Sequence, residues 1–526
     1  MTVPDPVVIG LDESRFPNWR EHQPDAILAI VDSPERFVGS VLPTGAGKSA
    51  TVTGAALLAG WRTLVLTSTK LLQLQYTTDM GPSGMVEVKG QGSYPCLAFD
   101  DEHWRLKEDR WQGCDEGPCR VGYRCALKPE TGEEETEKGC RYYDAVARAR
   151  HAPLVVTNYK YWLSMPNPLS LGAFDCLVLD EAHHAPNELG DYLSCSLGPL
   201  DFETLGSGGP RGSSAQAWTD WAMVQLARVT KALSRVPKTR TDLRHARTLR
   251  AVGQRLNAVS RVTDDWLIRE VGQDWRFDPI WVERYAESLL FRSIPKIVCT
   301  SATFTRKTAA MLGIRQEALR FHEAPSNFPT ARRPVCYVPC VRVDYRSDPT
   351  EIRHWLATID NVLRSRRDRK GIIHTVSYRR ARLIQEYSEF ASAMILHESA
   401  DTRQAVERFK AAGEGAILVS PAISTGYDFP DDQCRYQLIT KVPFPDKRDP
   451  VVSARTHADP DYAAYVAMQE LVQMVGRGMR SAEDWCESLI LDKHAEWFLR
   501  KYRHFAPEWF FEAYRECATV PEPLEV

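Results

Sequence analysis

What this sequence lacks already narrows it. No run of about 18 uninterrupted apolar residues occurs in its 526 positions, so no membrane-crossing helix is expected. The start, Met1-Thr-Val-Pro-Asp-Pro, has neither the basic residues nor the apolar stretch of a secretory signal, and a cytoplasmic chain is expected. Charge of one sign is missing too: 66 Lys and Arg stand against 69 Asp and Glu, a formal net charge of -3. That balance argues against an overall basic glove for nucleic acid and leaves any such contact to local patches. Internal repeats and long low-complexity segments are absent, which excludes solenoids and repeat arrays. At this length one hydrophobic core does not suffice, and about three or four units are expected.

Against these absences stands one dense motif, Leu42-Pro-Thr-Gly-Ala-Gly-Lys-Ser49. The apolar run Arg36–Leu42 before it reads as a buried strand, and Lys48–Leu58 reads as the helix that follows, the strand–loop–helix context a phosphate-binding loop requires. In such a loop Thr44, Gly45, Ala46 and Gly47 turn backbone N–H groups onto phosphate at the positive end of a helix. Lys48 then supplies a point charge, and the Ser49 hydroxyl can ligate Mg²⁺. Leu42 stands where the usual motif has its first glycine.

A second strand, Cys176–Leu179, runs straight into Asp180-Glu-Ala-His183. Apolar residues that end in an acidic pair put both carboxylates at the carboxyl edge of a parallel sheet, beside the loop. Asp180 suits Mg²⁺, and Glu181 suits orienting or deprotonating a water. Far downstream, Gln473-Met-Val-Gly-Arg-Gly-Met-Arg480 spaces Gln473, Arg477 and Arg480 so that a continuing helix carries all three on one face, able to reach across a cleft.

Taken in order, these segments resemble the XPD/DinG branch of superfamily 2 DNA helicases. Pro43–Ser49 resembles motif I, Thr63–Lys70 motif Ia, Asp180–His183 motif II, Thr300–Thr303 motif III, Gly371–Ser377 motif IV, Ile417–Phe429 motif V and Gln473–Arg480 motif VI. The resemblance implies adenine contacts from Arg20 and Gln23 and nucleotide contacts from Gly426 and Asp428. It makes Lys48, Asp180, Glu181, Gln473, Arg477 and Arg480 the catalytic set, with the two arginines on the γ-phosphoryl group.

Five of the 13 cysteines, Cys96, Cys114, Cys119, Cys125 and Cys140, fall in one stretch without forming Cys-x-x-Cys pairs. They read as a metal site in a reducing compartment. Tyr94-Pro-Cys96 and Gly139-Cys-Arg-Tyr-Tyr143 resemble the first and last ligand segments of the family's [4Fe–4S] domain. Four thiolates suffice for such a cluster. The resemblance points to Cys96, Cys119, Cys125 and Cys140, with Cys114 an alternative to Cys119; a zinc site or plain buried thiols are the competing readings.

The implied fold is α/β: two RecA-like parallel-sheet motor domains, with an iron–sulfur insertion and a helical arch insertion in the first. By residue, the first motor domain takes 1–90, 150–199 and 289–325, the iron–sulfur domain 91–149, the arch 200–288 and the second motor domain 326–526. The arch carries Arg228, Lys231, Arg235, Lys238, Arg240, Arg244, Arg247, Arg250 and Arg255, a patch suited to phosphate contacts without sequence information. Trp266, Trp275 and Trp281 suit either base stacking or core anchoring.

The function implied by resemblance is ATP-dependent, 5′ to 3′ movement on single-stranded DNA with unwinding of forked or tailed duplex. ATP, Mg²⁺ and a [4Fe–4S] cluster are the implied cofactors, and a monomeric protein of bacterial or phage origin is expected. A translocase or remodeller without processive unwinding is the nearest alternative. A non-catalytic nucleic-acid adaptor is a further one, and a helicase–nuclease fusion is disfavoured by the short ends.

Overall fold

The computed structural model describes residues 2–100, 112–129, 139–237, 239, 242–341, 343, 346–423, 427, 429–479 and 483–525. The first lobe opens with β1 (Phe37–Val41), β2 (Thr63–Thr67), β3 (Met85–Glu87), β4 (Leu154–Asn158) and β5 (Cys176–Asp180). Then come β6 (Cys195–Leu197), β7 (Trp266–Val271) and β8 (Asp274–Pro279), followed by β9 (Lys296–Ser301) and β10 (Leu319–Glu323). The second lobe supplies β11 (Val335–Tyr337), β12 (Gly371–His374), β13 (Met394–Ile395), β14 (Ile417–Ser420), β15 (Tyr436–Ile439), β16 (Glu487–Ile490) and β17 (Tyr514–Glu516).

Two seven-stranded sheets result, ordered β10-β1-β9-β5-β2-β4-β3 and β13-β14-β12-β15-β16-β11-β17. Every pair in both is parallel. The residues dictate this. Phe37-Val-Gly-Ser-Val41, Thr63-Leu-Val-Leu-Thr67 and Cys176-Leu-Val-Leu-Asp180 are buried at every position, as strands covered by helices on both faces must be. Because β9 pairs with both β1 and β5, the ends of three strands bring Ser40, Thr300 and Asp180 side by side at one sheet edge, next to the phosphate loop.

Outside the sheets, Ala215–Arg235 and Leu243–Val259 form an antiparallel helical pair, and β6, β8 and β7 form a small antiparallel sheet. Strand β6 joins only this small sheet: Cys195–Leu197 pairs with Trp275–Phe277 and has no partner in the large sheet. The start of the second helix docks on the cysteine-rich segment, where Leu243 and Ala246 pack with Ala98, Phe99, Val121 and Tyr123.

The lobes meet through named contacts. Thr308 bonds Tyr465 at 2.5 Å, and Arg455, which bonds the Tyr462 hydroxyl of its own lobe at 2.9 Å, donates to the Ile280 carbonyl at 2.6 Å.

Candidate nucleotide cleft and cysteine cluster

The phosphate loop owes its shape to two left-handed residues, Gly45 and Gly47, each with φ of 82°. Neither position has room for a side chain: at Gly45 a Cβ would sit 2.8 Å from the Phe328 ring, and at Gly47 it would collide with the Gln23 amide. Gln23 donates to the carbonyls of Ala46 and Gly47 at 3.2 and 3.1 Å, and Arg20 donates to the Gly45 carbonyl at 2.5 Å. Both residues therefore brace the loop from outside, a placement that motif spacing alone did not disclose. The helix Lys48–Ala59 begins directly after Gly47.

From Lys48 a polar chain runs across the molecule. The Lys48 ammonium stands 3.6 Å from Glu181, whose backbone is left-handed at φ 47°, an unusual conformation for a non-glycine residue. The Ser301 hydroxyl donates to Glu181 at 3.1 Å and bonds the His183 ring at 2.7 Å, while the Thr303 amide donates to Ser301 at 3.1 Å. Gln473, from the second lobe, then donates to the Thr303 hydroxyl at 3.1 Å and accepts from Arg477 at 3.0 Å. Arg477 also donates to the Tyr427 carbonyl at 3.2 Å. A Cβ on Gly476 would lie 2.7 Å from the Thr44 hydroxyl, so the second lobe abuts the phosphate loop itself.

Electrostatics separate the acidic pair. Burial and then repulsion from Glu181 push Asp180 up to about 7. Burial also raises Glu181, but Lys48 and His183 outweigh it and hold that carboxyl at about 2. One carboxylate is thus fixed in its charged form beside Lys48, while its neighbour keeps a charge readily neutralised by a proton or a cation.

Motif VI corrects one expectation from sequence. The helix Tyr462–Val475 stops before the arginines, Gly476–Gly478 form a single 3₁₀ turn, and Met479 is extended. Two glycines disfavour further helix, and a Cβ at Gly478 would strike the Cys486 sulfur, so Arg477 reaches Gln473 from a turn rather than a shared helical face. Arg480, Gly426 and Asp428 lie outside the described residues, as do Lys238 and Arg240.

Five cysteines gather beside the start of the helix Leu243–Val259. The Cys114 and Cys140 sulfurs are 3.7 Å apart, and the Cys96 and Cys119 sulfurs would lie 3.0 and 3.8 Å from a Cβ on Gly117. Backbone bonds assemble the set: Cys96 to Gln112 at 2.9 Å, Cys114 to Tyr94 at 2.9 Å and Cys140 to Leu127 at 3.1 Å. Cys119 interacts with Cys125, and Cys114 lies between Cys96 and Cys140, so the fold does not set Cys114 apart as a spare. The donors at this spot are sulfur, the set an iron–sulfur cluster or zinc takes. Among the described residues, no three His, Cys, Asp or Glu side chains already stand in ligating geometry.

Two arginines of the helical pair are occupied by structure. Arg247 bonds Glu116 and lies over Phe99, and Arg255 pairs with Asp201 at 2.5 Å, whereas Lys231 and Arg235 are exposed. Trp266 and Trp275 are packing residues: Trp266 bonds Tyr285 at 2.9 Å, and Trp275 packs 4.9 Å from Trp218. Trp281 sits edge-on to Tyr462 of the second lobe, 5.8 Å between centroids.

Comparison with known proteins agrees with this geometry. A helicase C-terminal domain family matches residues 363–513, and the family described as type III restriction enzyme, res subunit, matches residues 16–197. ATP-dependent DNA helicase DinG of Escherichia coli O157:H7 is 28% identical over 235 residues, 41% of this chain and 33% of that protein. The K12 protein of the same name matches to the same extent. Residues 363–513 are thus similar to a helicase C-terminal domain. The chain spans about a third of the length of these DinG relatives. A solved XPD helicase overlays with a TM-score of 0.60 at 14% identity, covering 94% of this chain and 98% of that one. S. tokodaii Xpd4 overlays at 0.58 and 12% identity, covering 95% and 100%. The two parallel sheets are therefore RecA-like lobes in the XPD arrangement. No helix among the described residues is long and apolar enough to cross a membrane.

Sequence reasoning missed three residues of this cleft. Phe328 caps Gly45, Tyr159 donates its hydroxyl to the Asp180 carbonyl at 3.0 Å, and Tyr76 faces Ser49 and Asp180. None belongs to a motif, and only the fold brings them there.

Proposed function

We propose that the chain is an ATP-dependent DNA helicase that moves 5′ to 3′ along single-stranded DNA and separates forked or tailed duplex as a monomer. The observation that carries this reading is the unbroken polar chain from Lys48 through Glu181, Ser301, Thr303 and Gln473 to Arg477. It links the phosphate loop of one lobe to the arginine of the other, so closure of the cleft is felt at the nucleotide. The similarity to DinG, described as an ATP-dependent DNA helicase, supports the same reading.

In this reading Thr44 to Gly47 cradle the phosphates, and Lys48 draws charge from them. Ser49 and Asp180 would hold Mg²⁺, which when bound would neutralise phosphate oxygens. Glu181, kept ionised by Lys48, orients the attacking water, and Arg477 with Arg480 stabilises charge on the departing phosphoryl group. Arg20 and Gln23 read the base from the flank of the loop, and Gly426 and Asp428 complete the nucleotide contacts. Exposed Lys231 and Arg235 guide one strand by its phosphates, which gives little sequence preference.

Cys96, Cys119, Cys125 and Cys140 would hold a [4Fe–4S] cluster, with Cys114 the alternative to Cys119 as the second ligand. The cluster, when bound, ties four chain segments into one rigid body beneath the arch. Its role is a brace at the point where the strands part.

The test is strand displacement by anaerobically purified protein on matched duplexes carrying a 5′ or a 3′ single-stranded tail. ATP-dependent displacement from the 5′ tail alone is expected. Displacement only from the 3′ tail overturns the polarity. No displacement with ATP hydrolysis still stimulated by single-stranded DNA replaces the helicase with a translocase or remodeller.

A further inference from the structure

Four buried hydroxyls on the strands and helices that meet at the acidic edge of the first sheet make no hydrogen bond of ordinary geometry: Ser40, Thr53, Tyr76 and Thr300. Tyr76 is 1% exposed and the other three 2% or less. Buried polar groups are nearly always paired, so four orphans together require a reason. Their positions are not scattered. Ser40 and Thr300 lie side by side across β1 and β9, and Thr300 lies beside Asp180 across β9 and β5. Neighbours in register on parallel strands share a face. Thr53 is one helical turn beyond Ser49 on the same helix face. Tyr76 comes from the helix Lys70–Met80, and its hydroxyl faces both Ser49 and Asp180.

We propose that Tyr76 is a positioning residue of the divalent-cation site. Its hydroxyl, with those of Ser40, Thr53 and Thr300, lines a polar chamber behind Ser49 and Asp180 that takes ordered waters of a hydrated cation. Mg²⁺ sheds its water reluctantly and retains several molecules when bound, so a site that offers only one hydroxyl and one carboxylate needs further groups to receive them. A buried water needs two to four polar partners, and the four hydroxyls provide them. The Tyr159 hydroxyl on the Asp180 carbonyl fixes the backbone, while the Tyr76 hydroxyl faces the carboxylate across the waters of the chamber. The inference rests on the nucleotide reading of the cleft.

The experiment uses the full chain and Tyr76→Phe, which keeps the ring and removes only the hydroxyl. Binding of a fluorescent ADP analogue is measured in EDTA, and Mn²⁺ affinity of the nucleotide complex is measured by electron paramagnetic resonance. Outer-shell substitutions typically weaken a metal site about 10- to 100-fold. The expected result is unchanged nucleotide affinity in EDTA, at least a roughly tenfold loss of Mn²⁺ affinity, and an unchanged or higher melting temperature, because an orphaned hydroxyl has been removed. Unchanged Mn²⁺ affinity in a variant that binds nucleotide normally overturns the role of Tyr76 and leaves the cleft intact. A wild-type protein that binds no nucleotide overturns both. Should Tyr76→Phe fail to fold, Ser40→Ala carries the same measurement: a shift in the same direction supports the chamber, and none overturns it.

Discussion

Gln473 of the second lobe donates to the Thr303 hydroxyl of the first at 3.1 Å, and its own oxygen accepts from Arg477 at 3.0 Å. One amide thus serves two lobes: its nitrogen holds the strand end that leads to Glu181, and its oxygen aims the arginine. Both bonds are buried, where a polar pair is strong and a lost partner expensive.

Gln473→Ala should therefore lower turnover more than nucleotide affinity. Loss of a buried bond to a charged group, about 1.5–3 kcal/mol, corresponds to roughly a ten- to hundredfold fall in rate. Steady-state hydrolysis beside equilibrium binding of a fluorescent nucleotide separates the two effects. With Thr303→Val added, the double variant should fall by less than the product of the single effects, the signature of residues acting as one unit.

Arg366 and Glu487 form a bidentate pair at 2.7 Å in the core of the second lobe, with side chains 0% and 3% exposed. Removing one partner strands the other charge, so Glu487→Gln should destabilise that lobe by about 3–5 kcal/mol. Denaturant unfolding of the full chain checks this, and a loss confined to a few tenths would show the pair to be solvent-accessible.

His374, at the end of β12, is buried and held by Gln437 at 3.1 Å; burial pulls it down to about 4. Its folded value lies below that of the unfolded chain, so the unfolded chain takes the proton first. The stability tied to neutral His374 is present above about pH 6.5 and is lost as pH falls toward 4, up to roughly 3 kcal/mol. Melting temperatures of wild type between pH 7 and 5 should drop more steeply than those of His374→Gln.

The cysteine assignment is open to direct count. Iron and sulfide content of anaerobic protein should approach one cluster per chain, and Cys96→Ala should lose it. Cys119→Ser should lose most of the iron while Cys114→Ser keeps it; the reverse would make Cys114 the ligand. Loss of iron should also raise amide exchange at Leu243–Val259, because the start of that helix packs on the cysteine segment.

The phosphate loop, the acidic pair and motif III are legible in the sequence because each follows a largely apolar, fully buried strand, and such a strand can be read from composition. The end of the Gln473 helix is less legible: spacing favours a continuous face, and Gly476 and Gly478 prevail because backbone must pass close to Thr44 and Cys486. Arg247 and Arg255 read as a solvent patch, since a sequence does not disclose that Glu116 and Asp201 stand opposite them. Tyr76, Tyr159 and Phe328 carry no local signal, because their partners are remote in the chain.

The most direct measurement is ATP hydrolysis with and without single-stranded DNA for wild type, Lys48→Ala and Arg477→Ala, with DNA affinity measured alongside. Wild type should be stimulated by DNA. Lys48→Ala should hydrolyse no ATP yet still bind DNA, and Arg477→Ala should fall by about 10³ to 10⁵. Hydrolysis at the wild-type rate in Lys48→Ala would contradict the assigned cleft.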